Sequence, residues 1–125
     1  MDKKYKILLI EDDPDQIFLY QSKFELEGFD FFSVRTGAEG LEMARTKKPD
    51  LILLDLVLIA ESGVDVLVDL KKDPATESIP VVILTNSVKE GLIEKTKKLG
   101  AVDYIIKANM MPSEVVNRVG DILKT

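Results

Sequence analysis

Four places in the chain carry groups that can handle a charged ligand: the acid run "EDD" at residues 11–13, Asp55 at the end of "PDLILLD", the polar "TNS" at 85–87, and Lys107 after "DYII". Asp55 is the most demanding of them. It lies within a run of leucine and isoleucine that reads as a strand buried on both faces, where an unpaired carboxylate costs several kcal/mol or takes up a proton. If the fold brings these acids together, a single pair ~5 Å apart repels by roughly 3 kcal/mol at an effective dielectric near 20. A divalent ion held by carboxylates and backbone carbonyls relieves that repulsion. Mg²⁺, which keeps several waters and associates with phosphate, suits a shallow rim better than a Ca²⁺ cage does. The chain has no cysteine and no histidine, so the soft and borderline ligands of zinc and copper sites are missing. Lys107, a compact charge on a long stem, supplies the remaining positive charge.

The elements that must position these groups follow from short apolar runs, rich in β-branched residues, that alternate with longer amphipathic segments. That alternation predicts a parallel sheet covered by helices, with strands over 6–10, 31–34, 51–54, 81–84 and 103–106. Asp13 and Pro14 read as the N-cap and first position of a helix with Ile17, Tyr20 and Phe24 on one face and Gly28 as its stop. "TGAE" from Thr36 and "SVKE" from Ser87 both have the form of capping boxes, opening helices that end near Lys47 and at Gly100. A further helix spans 63–72, burying Val64, Leu67 and Leu70, and a last one follows Pro112 with Val115, Val119 and Ile122. Five alternations of strand and helix suit a doubly wound α/β sheet, in which ligands meet the carboxyl ends of the strands where strand order reverses. Residues 11–13, Asp55, 85–87 and Lys107 all stand at those ends.

The 125 residues bound a single domain, 1–125, with none left over for an output domain. Hydrophobic residues make up 46% and charged residues 31%, a globular balance. A net charge of −5 argues against direct nucleic-acid binding or a grip on anionic lipid and favours a protein partner or a cation. In "MDKKYKILLIEDD" the apolar run is too short for a signal peptide or a membrane span, so a cytoplasmic protein without membrane insertion is expected.

Taken together, "KILLIEDD", "PDLILLDLVL" with Gly63, "PVVILT" and "GAVDYIIK" resemble the receiver domain of two-component response regulators over nearly the whole chain. The resemblance implies a flavodoxin-like (βα)5 fold with strand order 2-1-3-4-5. It implies Asp55 as the phospho-accepting nucleophile, modified by phosphorylation, and Glu11 and Asp12 as the acid pair at a Mg²⁺ ion. That ion would be bound by Asp12, Asp55 and the carbonyl of Val57, with Glu11 acting through water. Thr85 would be the switch hydroxyl, Tyr104 the switch aromatic and Lys107 the phosphate-binding lysine. The partners implied are a sensor histidine kinase or histidine phosphotransfer protein as donor and a downstream target protein. The target would meet the face built by the helix from Ser87, the last strand and the helix from Pro112. Such a protein is a signalling domain whose catalysis is limited to its own phosphorylation and dephosphorylation, not an enzyme with a separate substrate.

Each residue also has a plain structural role to set beside this one. The acid run can be only a helix N-cap, Asp55 a strand-end turn, Thr85 an ordinary strand residue, Lys107 a solvated charge and Tyr104 packing. Their conjunction at one rim is what favours function. A dehalogenase-like phosphatase or a toprim-type metal site would want a second acid at position 57, which is valine, and "EDDPDQ" would repel the phosphate that a P-loop or flavodoxin-type cofactor loop cradles. The remaining alternative is a degenerate receiver that binds proteins without phosphorylation. Two departures bear on it: Ile59 and Ala108 stand where the family usually has proline. The second predicts a trans Lys107–Ala108 bond, with Met110 and Met111 either folded onto the core or offered to a partner.

Overall fold

The computed structural model describes residues 4–124. Strands and helices alternate as β1 (Lys6–Ile10), α1 (Pro14–Leu26), β2 (Asp30–Val34), α2 (Gly37–Lys47), β3 (Leu51–Leu54), α3 (Gly63–Lys72), β4 (Val81–Thr85), α4 (Leu92–Lys98), β5 (Asp103–Ile106) and α5 (Pro112–Lys124). The strands form one sheet in the order β2-β1-β3-β4-β5, every pair parallel. This is the doubly wound, flavodoxin-like arrangement expected from the alternation and the family pattern.

Helices on both faces explain why the central strands read as unbroken apolar runs. Ile7, Leu9, Leu51, Leu53, Val82 and Leu84 pack with Tyr20, Phe24, Val115 and Val119 of α1 and α5. The alternate residues Leu8, Ile10, Ile52, Leu54, Val81 and Ile83 pack with Ala44, Val66, Leu67 and Leu70 of α2 and α3. On α3 it is Val66, not the expected Val64, that is fully buried beside Leu67 and Leu70; Val64 is half-buried.

The helix starts differ in how well their local signals hold. Asp13 caps α1 by accepting the Asp15 N–H at 2.9 Å, with Pro14 next. Thr36 caps α2 by accepting the Glu39 N–H at 3.2 Å, and the Glu39 carboxylate accepts the Thr36 hydroxyl at 3.1 Å. The box expected at Ser87 does not form. α4 begins five residues later, behind Gly91 at φ +83, a left-handed conformation that glycine adopts without strain. The reason lies in Ser87 itself: its N–H donates to Thr85 Oγ1 and its carbonyl accepts the Tyr104 hydroxyl. The carbonyl is the group that an N-cap offers to the first intrahelical bond, and here it is committed to Tyr104.

Gly63 is required where it stands. A β-carbon there would collide with the Asp55 carbonyl oxygen and the Leu56 α-carbon, so its absence lets α3 start hard against the chain leaving β3. The loop between β3 and α3 is thereby held close to the sheet's carboxyl edge.

Candidate functional site

β1 and β3 lie side by side at the point where the chain reverses strand order, with Ile10 opposite Leu54. The Asp55 N–H donates to the Ile10 carbonyl at 3.1 Å, which brings Asp55 beside the residue that follows β1, Glu11. Both are buried, at 5% and 2% exposure. Next to β3, β4 ends at buried Thr85, and next to that β5 runs directly into Lys107. A shallow depression of about 440 Å³ results, lined among others by Glu11, Asp12, Asp55, Val57, Thr85 and Lys107.

At its centre Asp55 and Lys107 are hydrogen-bonded. Asp55 Oδ1 accepts the Thr85 hydroxyl at 2.7 Å and the Val57 N–H at 3.0 Å. The Lys107 ammonium lies between two acids, 3.0 Å from Asp55 Oδ2 and 3.0 Å from Glu11 Oε1. The charge within the strand run is therefore aimed out of the sheet's edge and paired there.

The electrostatics follow from this packing. Burial, and then the adjacent Asp55, push the Glu11 carboxyl up to about 8, with Lys107 acting in the opposite direction. Burial also pushes Asp55 upward, but the Glu11 side chain, the Val57 amide, the Thr85 hydroxyl and Lys107 outweigh it and hold Asp55 below the usual carboxylate range. For Lys107 burial acts to lower the pKa, and the two carboxylates, Asp55 foremost, raise it above the ordinary lysine value.

Asp12 is turned elsewhere: its Oδ2 accepts the Ile59 N–H. Tyr104 does not reach the acids but donates its hydroxyl to the Ser87 carbonyl at 2.8 Å. Because Ser87 N–H also meets Thr85 Oγ1, a hydrogen-bonded path runs from Asp55 through Thr85 and Ser87 to Tyr104.

No peptide bond among the described residues is cis, so Lys107–Ala108 is trans, as expected. The chain passes into a short 3-10 turn over Lys107–Asn109. The amide that alanine provides donates to Asn86 Oδ1 at 2.8 Å. Met110 packs on the core beneath α1 and α5, while Met111 is 65% exposed. Asn86 stands at the rim as expected, but its tie from β4 to the loop after β5 was not foreseen; nor were Arg35, whose guanidinium donates to the Asp12 carbonyl at 2.9 Å, and the Ile59 amide. A backbone donor at a position where proline is usual was the available signal for two of these contacts.

The residues suit a hard divalent cation by two observations. Glu11 Oε2 is buried and has no hydrogen-bond partner among the described residues, so an oxygen donor is left over. The acids Glu11, Asp12 and Asp55 line one depression with Val57, and carboxylate oxygens are the class of donor that Mg²⁺ takes. Among the described residues, however, no three acidic side chains converge on one point, because Asp12 faces Ile59 and Lys107 fills the space between Glu11 and Asp55.

A buried acid–lysine–hydroxyl cluster at the switch point of a parallel α/β sheet stands where such sheets bind their ligands. The sequence matches the response regulator receiver domain over residues 7–119. It is 32% identical to the protein PilH of Pseudomonas aeruginosa over 102 residues, covering 82% of this chain and 84% of PilH. It is 33% identical to the polar-differentiation response regulator DivK of Brucella anthropi over 106 residues, covering 85% and 86%. The phosphorylated cyanobacterial phytochrome response regulator RcpA superposes with a TM-score of 0.74 at 33% identity, over 98% of this chain and 90% of RcpA. The chain belongs to the response regulator receiver domain family of two-component signalling.

Proposed function

We propose that this receiver accepts a phosphoryl group on Asp55 from a phosphohistidine of a sensor histidine kinase or histidine phosphotransfer protein, and that the acyl phosphate shifts a protein-binding face. The observation that carries the reading is the pair of donors converging on Asp55: the Lys107 ammonium at 3.0 Å and the Thr85 hydroxyl at 2.7 Å. One Asp55 oxygen attacks phosphorus in line as the donor's P–N bond breaks. The electron pair leaves with the imidazole nitrogen, and an acyl phosphate forms. Lys107 and Thr85 then exchange their bonds to the carboxylate for bonds to the new phosphoryl oxygens, stabilising charge where it develops. Glu11, Asp12, Asp55 and the Val57 carbonyl would hold Mg²⁺, which when bound supplies further positive charge to the phosphoryl oxygens.

Withdrawal of the Thr85 hydroxyl from Asp55 loosens the path through Ser87 to Tyr104, and with it the face of α4, β5 and α5, where Ile93 and Val102 are more than half exposed. The target is a protein, and the domain acts in the cytoplasm; its catalysis is confined to its own phosphorylation and dephosphorylation. A degenerate receiver is disfavoured, since it would have no use for a lysine and a hydroxyl both aimed at a buried acid. The test is incubation with Mg²⁺ and acetyl phosphate followed by intact mass. Wild type is expected to gain one phosphoryl group and Asp55→Asn none; no gain by wild type under any condition would turn the reading to the degenerate binding module.

A further inference from the structure

Ile59 stands where the family usually has proline, and the exchange gives the backbone a donor that proline lacks. That N–H donates to Asp12 Oδ2. Ile59 is 89% exposed, so the amide, not the side chain, is what this residue brings to the site. The bond ties the loop after β3 to the acid after β1. A second bond, from Gly37 N–H to Glu61 Oε2 at 2.8 Å, anchors the far end of the same loop to the start of α2. With Asp12 so engaged, Glu11 and Asp55 meet at Lys107 while the third acid stays apart.

We propose that the Ile59 amide competes with a divalent cation for the Asp12 carboxylate. Asp12 holds the amide in the metal-free protein and surrenders it when the cation binds, which frees the loop after β3 at its site end while Glu61 keeps the other end in place. The inference rests on the function proposed above, in which Asp12 is a cation ligand. A hydrogen bond to an ionised carboxylate is stronger than one between neutral groups, so giving it up subtracts from the cation's apparent affinity. Proline at position 59 offers no such rival. Residue 59 thereby sets both the affinity for the cation and whether the loop reports its arrival.

Mg²⁺ titration by calorimetry of wild type, Ile59→Pro and Ile59→Ala tests this. Ile59→Pro is expected to bind a few-fold to about tenfold more tightly, and Ile59→Ala, which keeps the amide, to match wild type. A second reading needs no variant: the Ile59 amide proton of wild type, drawn downfield by the carboxylate in EDTA, should move upfield as Mg²⁺ saturates. Unchanged or weaker binding by Ile59→Pro, or an amide proton that stays downfield at saturation, overturns the competition and leaves the cation site standing. Absence of Mg²⁺ binding in all three proteins overturns the function reading and the competition together.

Discussion

Lys107 bridges Glu11 and Asp55 with side-chain exposures of 9%, 3% and 7% for the three residues. Removing one member of a buried ion pair typically costs about 3–5 kcal/mol. Asp55 keeps its bonds from the Thr85 hydroxyl and the Val57 amide, which softens that loss, so Lys107→Ala is expected to lose roughly 2–3 kcal/mol in EDTA and to recover part of it with Mg²⁺. Lys107→Ala should retain Mg²⁺ binding yet lose most phosphorylation, whereas Asp12→Ala should lose the binding; equal losses of affinity in the two variants would reverse the roles assigned here. Glu11 also gives the metal-free protein a pH dependence. Its folded pKa of about 8 lies above its ordinary 4.5, so between those values the native state keeps a proton that the unfolded state has released. Stability then falls with rising pH across that window, by up to about 1.4 kcal/mol per unit, and levels off above it. The shifts of Asp55 and Lys107 act outside the window, below 3.8 and above 10.5. Urea midpoints at pH 5, 7 and 9 in EDTA should decline for wild type and flatten for Glu11→Gln; a rising midpoint would contradict the environment given to Glu11. Asp55, Thr85 and Lys107 were legible in the sequence because each ends or directly follows a strand, and strand ends fix a rim. The contacts of the Ile59 and Ala108 amides were not, since a backbone donor's partner depends on a loop path that no periodicity encodes.

At the scale of the elements, the strands emerged from sequence with errors of one residue at most, at Asp30 and Thr85, because apolar runs covered on both faces have abrupt ends. α4 was the misreading. "SVKE" carries a capping pattern, but the Thr85 and Tyr104 contacts of Ser87 override it, and Gly91, expected inside the helix, stands before it. Two glycines give opposite predictions. Gly120 lies within α5, and a β-carbon there meets nothing within 4 Å, so Gly120→Ala should raise stability by about 0.5–1 kcal/mol. A fall in the urea midpoint would mean that the open space is used by something else. At Gly63 a β-carbon strikes backbone, which cannot yield as a side-chain tip can; Gly63→Ala should therefore lose roughly 1–3 kcal/mol and displace the loop that carries Val57 and Ile59. A Gly63→Ala protein as stable as wild type would show that α3 is not pressed against Asp55 as described.

The molecule as a whole is a sheet whose buried faces hold acids, a hydroxyl and a lysine rigidly at one edge. Among the described residues no helix is long and apolar enough to cross a membrane, and the net charge of −5 suits a cation at the acid edge. A ligand bound only by the native state adds RT ln(1 + [L]/Kd), so Mg²⁺ at about ten times its Kd should stabilise the wild type by roughly 1–2 kcal/mol. Asp12→Ala should erase that gain in a thermal melt; an unchanged gain would remove Asp12 from the cation site. The fold also makes its central claim at one atom: of the acids at the edge, only Asp55 is held by a lysine and a hydroxyl together. Phosphorylation with acetyl phosphate and Mg²⁺, reductive trapping of the acyl phosphate with borohydride, and peptide mass mapping locate the modified residue directly. A single modified site at Asp55 is expected; modification at Glu11, Asp12 or Asp13, with Asp55 untouched, would contradict the role given to Asp55.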